Sequence, residues 1–156
     1  MSKTAQLDKP IPRFSAPATG GQTIQSENLK GRAYVLYFYP KDSTPGCTTE
    51  GGDFRDLYAA FQQAGCDIFG VSKDSLKSHE NFKNKQAFPF ELISDEDETL
   101  CRIFDVIKLK KMYGREFEGI ERSTFLVDAS GTLRQEWRKV KVKGHVEAVL
   151  EAVQAL

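Results

Sequence analysis

Residues 33–39, Ala-Tyr-Val-Leu-Tyr-Phe-Tyr, form an unbroken apolar and aromatic run that stops at Pro40. Its length and composition predict a central strand buried on both faces, which needs helical cover on both sides. Before it, Pro10, Pro12, Pro17, Gly20, Gly21 and Gly31 punctuate residues 1–32 too often for a long helix. That segment is expected to be irregular, with a short edge hairpin from residues 13–16 and 22–25. After the turn-rich loop 40–46, Phe54, Leu57, Tyr58 and Phe61 recur at i, i+3, i+4 and i+7, the spacing of one helix face. This predicts a helix that begins near Cys47 and is stopped by Gly65.

The same alternation continues. Residues 66–72 read as a second strand, Ser75 as the cap of a helix running to about Ala87, and residues 89–93 as a third strand. A helix is expected to open at residues 94–97, with Ser94 as its cap and Leu100, Ile103 and Phe104 as its apolar stripe. Residues 123–127 and 132–137 flank a loop ending in Gly131 and read as two hairpin strands. Val146, Val149, Leu150 and Val153 mark a C-terminal amphipathic helix. Lys139 to Lys143 alternates lysine with valine, which suggests a solvated strand edge guarded by charge. The order of elements argues for an α/β fold with a central mixed β-sheet flanked by helices. No repeat or linker divides residues 1–156, so one domain is expected.

Composition narrows the function classes. The chain has 156 residues, enough for one core without disulfide or metal staples. Its 22 basic and 22 acidic side chains cancel, leaving no electrostatic footprint for nucleic acid or an anionic membrane. No membrane-span-length apolar run and no signal-peptide core are present, so a cytoplasmic protein is expected. The three cysteines, Cys47, Cys66 and Cys101, are odd in number and irregularly spaced, which is not a secreted disulfide framework. Without a Cys-x-x-Cys pair, and with only two histidines, a zinc site or a dithiol–disulfide exchange site is disfavoured.

The chemistry concentrates in Tyr-Pro-Lys-Asp-Ser-Thr-Pro-Gly-Cys-Thr-Thr-Glu, residues 39–50. It carries a thiol from a buried strand to the first turn of a helix, where unpaired N–H groups and the backbone dipole favour an anion. The thiolate is the nucleophilic form of cysteine. A helix dipole contributes typically about 0.3–1 kcal/mol. That falls short of the roughly 3 kcal/mol that would turn a mostly protonated thiol into mostly thiolate at neutral pH, so a neighbouring cation or further hydrogen bonds are needed.

Pro40-x-x-x-Thr44-x-x-Cys47 resembles the active-site signature of the peroxiredoxins. The fuller wording of the segment resembles the bacterioferritin comigratory protein, or peroxiredoxin Q, subfamily. Gly70-Val-Ser-Lys-Asp-Ser75, Leu92-Ile-Ser-Asp95 and Arg122-Ser-Thr-Phe-Leu-Val-Asp128 extend the likeness over essentially the whole chain. The resemblance implies a thioredoxin-like fold, reduction of hydrogen peroxide or organic hydroperoxides by a cysteine thiolate, and no metal or organic prosthetic group. Carried over by position, Cys47 is the peroxidatic nucleophile and passes through a sulfenic acid. Thr44 orients the peroxide and Pro40 shields the thiolate. Arg122 supplies the cation, its planar fork reaching both sulfur and transition-state oxygens.

Glu50, three residues after Cys47, is placed to reach back to the helix start, and is expected to pair with Arg122 and orient it. Gly51 and Gly52 are costly inside a helix. They mark either a close contact that admits no Cβ or a first turn that unravels readily. Many relatives carry a resolving cysteine five residues after the nucleophile, where this chain has Gly52, or in the next helix, around Lys83 here. A one-cysteine cycle is therefore expected, resolved by thioredoxin, glutaredoxin or glutathione, with an internal bridge to Cys101 as the alternative. Cys66 reads as packing, and so do His79 and His145 as ordinary structural histidines. A chaperone or binding module on the same fold is the non-enzymatic alternative. With no exposed apolar stripe apparent, a monomer is expected.

Overall fold

The structure is a computed structural model that describes residues 4–156. Residues 1–3, the start of the segment expected to be irregular, lie outside the described residues. The strands are β1 (Ser15–Ala18), β2 (Gln22–Gln25), β3 (Ala33–Phe38), β4 (Cys66–Ser72), β5 (Glu91–Ser94), β6 (Ile107–Met112), β7 (Arg115–Ile120), β8 (Ser123–Val127) and β9 (Leu133–Trp137). The helices are α1 (Pro45–Asp56), α2 (Tyr58–Gln63), α3 (Leu76–Gln86), α4 (Thr99–Ile103) and α5 (His145–Gln154).

Seven strands form one mixed sheet in the order β2-β1-β5-β4-β3-β8-β9. β3, β4 and β5 run parallel, and β8 joins β3 antiparallel with Phe38 opposite Ser123. Every residue of β3 is buried, as its unbroken apolar run requires. Alternation splits that strand between two cores. Tyr34, Leu36 and Phe38 pack with α4 residues Leu100 and Cys101 on one face. Val35 and Tyr37, with Tyr39 just beyond the strand, pack on the other face with Cys47 and Phe54 of α1, Phe82 of α3 and Val146 of α5.

Several expectations need correction. The edge hairpin is shifted, β1 running from Ser15 to Ala18 rather than over residues 13–16. The helix expected from Cys47 to Gly65 is two helices, interrupted at Leu57 (φ −102°, ψ 7°), although Phe54 and Phe61 stay in the same core. α4 starts only at Thr99, and Ser94 belongs to β5 instead of capping a helix. The capping carboxylate is that of buried Asp95, which accepts from the Leu100 and Cys101 amides at 3.0 and 2.8 Å. Residues 139–143 form no strand.

The hairpin β6–β7 was not anticipated. It turns through Tyr113 (φ 54°) and Gly114 (φ 76°), the left-handed pair that a two-residue hairpin loop needs. It also exposes Leu109, Met112, Tyr113 and Phe117, so the expectation of no exposed apolar stripe does not hold. Among the described residues no helix is long and apolar enough to cross a membrane.

Candidate active site

The register of the sheet explains how residues far apart in sequence meet. Because Phe38 pairs with Ser123, the residue before β8 lies beside the C-terminal end of β3, where the chain leaves the sheet for α1. That residue is Arg122. Pro40 is exposed at the strand exit, and Ser43 takes a left-handed turn (φ 63°). Thr44 is then extended (φ −88°, ψ 155°) as the residue that begins α1. Its hydroxyl does not cap the helix; it donates to the Lys41 carbonyl at 2.9 Å. Pro45 occupies the first turn, where a missing N–H costs nothing, and Cys47 follows within it.

Arg122 bridges the site. Its Nη2 donates to Cys47 Sγ at 3.4 Å and its Nη1 to Glu50 Oε1 at 2.6 Å. Cys47 is 1% exposed and Glu50 0%. Burial opposes the charge on Arg122, but Glu50 and Cys47 together hold its protonated form more firmly than usual. Gly46 leaves space for this fork, since a Cβ there would sit 3.0 Å from Arg122 Nη2. Gly51 has a different reason. Its Cβ would come within 2.4 Å of the Phe88 ring, so close packing accounts for this glycine, whereas Gly52 faces nothing nearer than the flexible Arg55 side chain at 3.4 Å.

The Glu50 carboxylate serves Arg122 instead of reaching back to cap the helix. Its other oxygen, Oε2, has no hydrogen-bond partner among the described residues and lies 3.9 Å from His145 Nε2. Burial pushes the Glu50 carboxyl up to about 7 against the pull of Arg122. His145 is driven the other way, to about 4, by burial and by Arg122, and is therefore neutral at pH 7 while sharing a 2.7 Å hydrogen bond with Thr124 Oγ1. From sequence alone His145 reads as structural. The Gly-His start of the last helix gives no hint that it faces Glu50.

The raised Glu50 carboxyl makes a stability prediction. Since the folded protein keeps this proton to a higher pH than the unfolded chain, the group favours folding in acid. That contribution is lost as pH rises from about 4.5 to about 7. Glu50→Gln abolishes the effect. Between about pH 4 and pH 8 the variant's unfolding free energy is expected to gain about 3 kcal/mol relative to wild type. Parallel pH slopes in urea titrations of the two proteins would show that folding leaves the Glu50 proton affinity unchanged.

The other two thiols are elsewhere. Cys66 opens β4 opposite Ala33, at the far end of β3 from Cys47. Six residues of strand at about 3.3 Å each put that end roughly 20 Å away. Burial pushes the Cys66 thiol up to about 12. Cys101 lies in the core on the opposite face of the sheet from Cys47, fully buried, its thiol pushed far up by burial and by Asp95. Lys83, around which the resemblance placed an alternative resolving cysteine, pairs with Glu91 at 2.5 Å. Lys110 of β6 also feels the site: burial and the charge of Arg122 lower it, which places the β6–β7 hairpin alongside.

A mixed sheet that delivers a buried thiol to a helix N-terminus, under an arginine just before the neighbouring strand, is the arrangement of a thiol peroxidase on a thioredoxin-like fold. The comparisons agree. Residues 7–136 match the model of the AhpC/TSA family. Peroxiredoxin Bcp of Xanthomonas campestris pv. campestris is 56% identical over 153 residues, 97% of this chain and 96% of that protein. Peroxiredoxin Bcp of Bacillus subtilis is 48% identical over 150 residues, 96% of each. Among solved structures, peroxiredoxin Q of Xanthomonas campestris superposes with a TM-score of 0.87 at 56% identity, covering 91% of this chain and 90% of that one. A cysteine-to-serine mutant of Xylella fastidiosa PrxQ gives a TM-score of 0.92 at 42% identity, covering 97% and 96%. The chain belongs to the AhpC/TSA family and is a peroxiredoxin of the Bcp, or peroxiredoxin Q, type: a thiol-dependent peroxidase that takes a peroxide substrate and a thiol reductant.

Proposed function

We propose that this chain, acting as one domain and as a monomer in the cytoplasm, reduces hydrogen peroxide and organic hydroperoxides at Cys47 and has the resulting sulfenic acid resolved by an external thiol. The observation that carries the reading is Arg122 held between Cys47 Sγ and Glu50 Oε1. A guanidinium fixed there stabilises the thiolate and then the oxygen that develops charge as the O–O bond breaks. The Cys47 thiolate attacks the distal peroxide oxygen, forming an S–O bond. The departing alkoxide or hydroxide takes a proton and leaves as alcohol or water. The sulfur, oxidised by two electrons, becomes Cys47–SOH. Thr44 orients the peroxide through its hydroxyl, and Pro40 limits access of water.

Reduction takes two thiols. The first displaces water from Cys47–SOH to form a mixed disulfide, and the second attacks that disulfide, freeing Cys47 and releasing the oxidised reductant. The positions of the three cysteines support an outside donor, with thioredoxin, glutaredoxin or glutathione as candidate classes. Cys66 stands at the other end of the strand and Cys101 behind the sheet. An alkyl peroxide reduction activity is named for the Xanthomonas campestris relative, and organic hydroperoxides are proposed as substrates here on that likeness.

Intact-mass spectrometry after one equivalent of peroxide, without reductant, tests the cycle. The expected product has gained one oxygen at Cys47. A product lighter by two hydrogens, with Cys47 joined to Cys101 or Cys66, would mean that the chain resolves itself.

A further inference from the structure

Asp42 and His79, the latter read from sequence as a structural histidine, form a buried hydrogen-bonded pair beside the loop that leads to Cys47. His79, on α3, is 0% exposed and Asp42 6%. His79 Nδ1 lies 2.7 Å from Asp42 Oδ2 and its Nε2 lies 2.9 Å from the Ile93 carbonyl on β5. A carbonyl only accepts, so Nε2 carries a proton, and the 2.7 Å approach of Nδ1 to the carboxylate calls for a second proton between them. That proton joins His79 and Asp42 as a buried histidine–carboxylate pair. The 2.7 Å gap suits a proton. A metal ion with bonds of about 2.0–2.2 Å would need the two atoms further apart and a free nitrogen.

Asp42 is fixed on every side. Oδ1 accepts from the Tyr39 hydroxyl at 2.7 Å, Oδ2 also accepts from the Ser78 hydroxyl at 2.8 Å, and its backbone amide donates to Asp74 Oδ2 at 2.9 Å. The next residue, Ser43, holds a left-handed conformation (φ 63°) that disfavours a residue with a Cβ. Such a conformation persists where its surroundings over-determine it. Thr44 follows directly.

We propose that the buried Asp42–His79 ion pair positions the peroxide-orienting loop, tying residues 40–44 to α3 and β5 so that Thr44 and Pro40 face the Cys47 sulfur. His79 touches no reacting atom; it acts through Asp42. The inference rests on the proposed roles of Thr44 and Pro40, and the test separates the two.

In wild type, long-range proton–nitrogen NMR of His79 at neutral pH is expected to show both ring nitrogens protonated; a singly protonated ring would overturn the ion pair without any variant being made. His79→Gln retains one donor and is expected to lower the second-order rate constant for peroxide about ten- to hundredfold, the scale of an ångström-sized misplacement. Alkylation of Cys47 by iodoacetamide needs the thiolate but no oriented peroxide, and is expected to stay within about twofold of wild type, whereas general loosening of the fold would change both. Should His79→Gln not fold, Asp42→Asn, which replaces the carboxylate with an isosteric amide, is expected to show the same split. If Thr44→Val slows peroxide reduction while His79→Gln and Asp42→Asn leave it unchanged, the positioning role is wrong and the Thr44 reading stands. If none of the three changes the rate, both fail.

Discussion

Cys47→Ser is expected to reduce peroxide consumption by at least about 10⁴-fold, to the background reaction of peroxide with the reductant. The side chains are nearly isosteric, and Cys47 is buried at the start of α1, so the fold should be kept. What is lost, on the proposed mechanism, is the nucleophile. A hydroxyl at neutral pH supplies almost no anion, and Arg122 at 3.4 Å would have a neutral oxygen to face instead of a thiolate. A stopped-flow peroxide assay on folded variant measures this directly. Residual activity within tenfold of wild type would move the chemistry to another residue, and with it the meaning of the Arg122 bridge.

The second large effect belongs to Arg122. Arg122→Gln removes the cation from both partners at once, and peroxide reduction should fall by about 10²–10³-fold, the cost of deleting one preorganised donor to a developing anion. The same change leaves Glu50 as a buried carboxyl with neither oxygen paired to a cation. Breaking one side of a buried pair typically costs about 3–5 kcal/mol, which Glu50 limits by taking up a proton. The variant should therefore be markedly less stable at pH 8 than at pH 5. Adding Glu50→Gln should restore most of the stability at pH 8 and little of the activity. A double variant that recovered both would show that Arg122 matters for folding and not for the peroxide step. Guanidinium unfolding and initial rates on the same preparations distinguish the cases.

How legible these features were depended on how local their causes are. β3 was readable because burial on both faces leaves an unbroken apolar run, and the start of α1 because Pro45 and the turn residues before it act within a few positions. Arg122 was invisible to periodicity. It reaches the site through the pairing of β8 with β3, a contact across the sheet, and only the likeness to the peroxiredoxin pattern singled it out. The Glu50–Arg122 pair was anticipated, but the accompanying expectation of a helix cap was not met, because the buried carboxylate is taken by the guanidinium.

The hairpin β6–β7 escaped for a physical reason. It has little burial on either face, so hydrophobic alternation is weak, and its turn uses Tyr113-Gly114 in place of the more telling Asn-Gly. The left-handed Tyr113 is visible only in the structure. α4 was misplaced because Asp95, not Ser94, satisfies its first amides from a position several residues before its first turn. His79 and Asp42, 37 residues apart, gave no joint signal, although Asp42 lies inside the most telling segment of the chain.

Proximity also bears on the three thiols and supports the proposal of an outside donor. The sheet stands between Cys47 and Cys101, and the length of β3 between Cys47 and Cys66. The most direct measurement is therefore steady-state peroxidase turnover of the Cys66→Ser/Cys101→Ser double variant, with Cys47 as its sole cysteine and an excess of external thiol. The account predicts turnover within about twofold of wild type, with one oxygen recovered on Cys47 when the thiol is withheld. Loss of turnover in a folded double variant would contradict it.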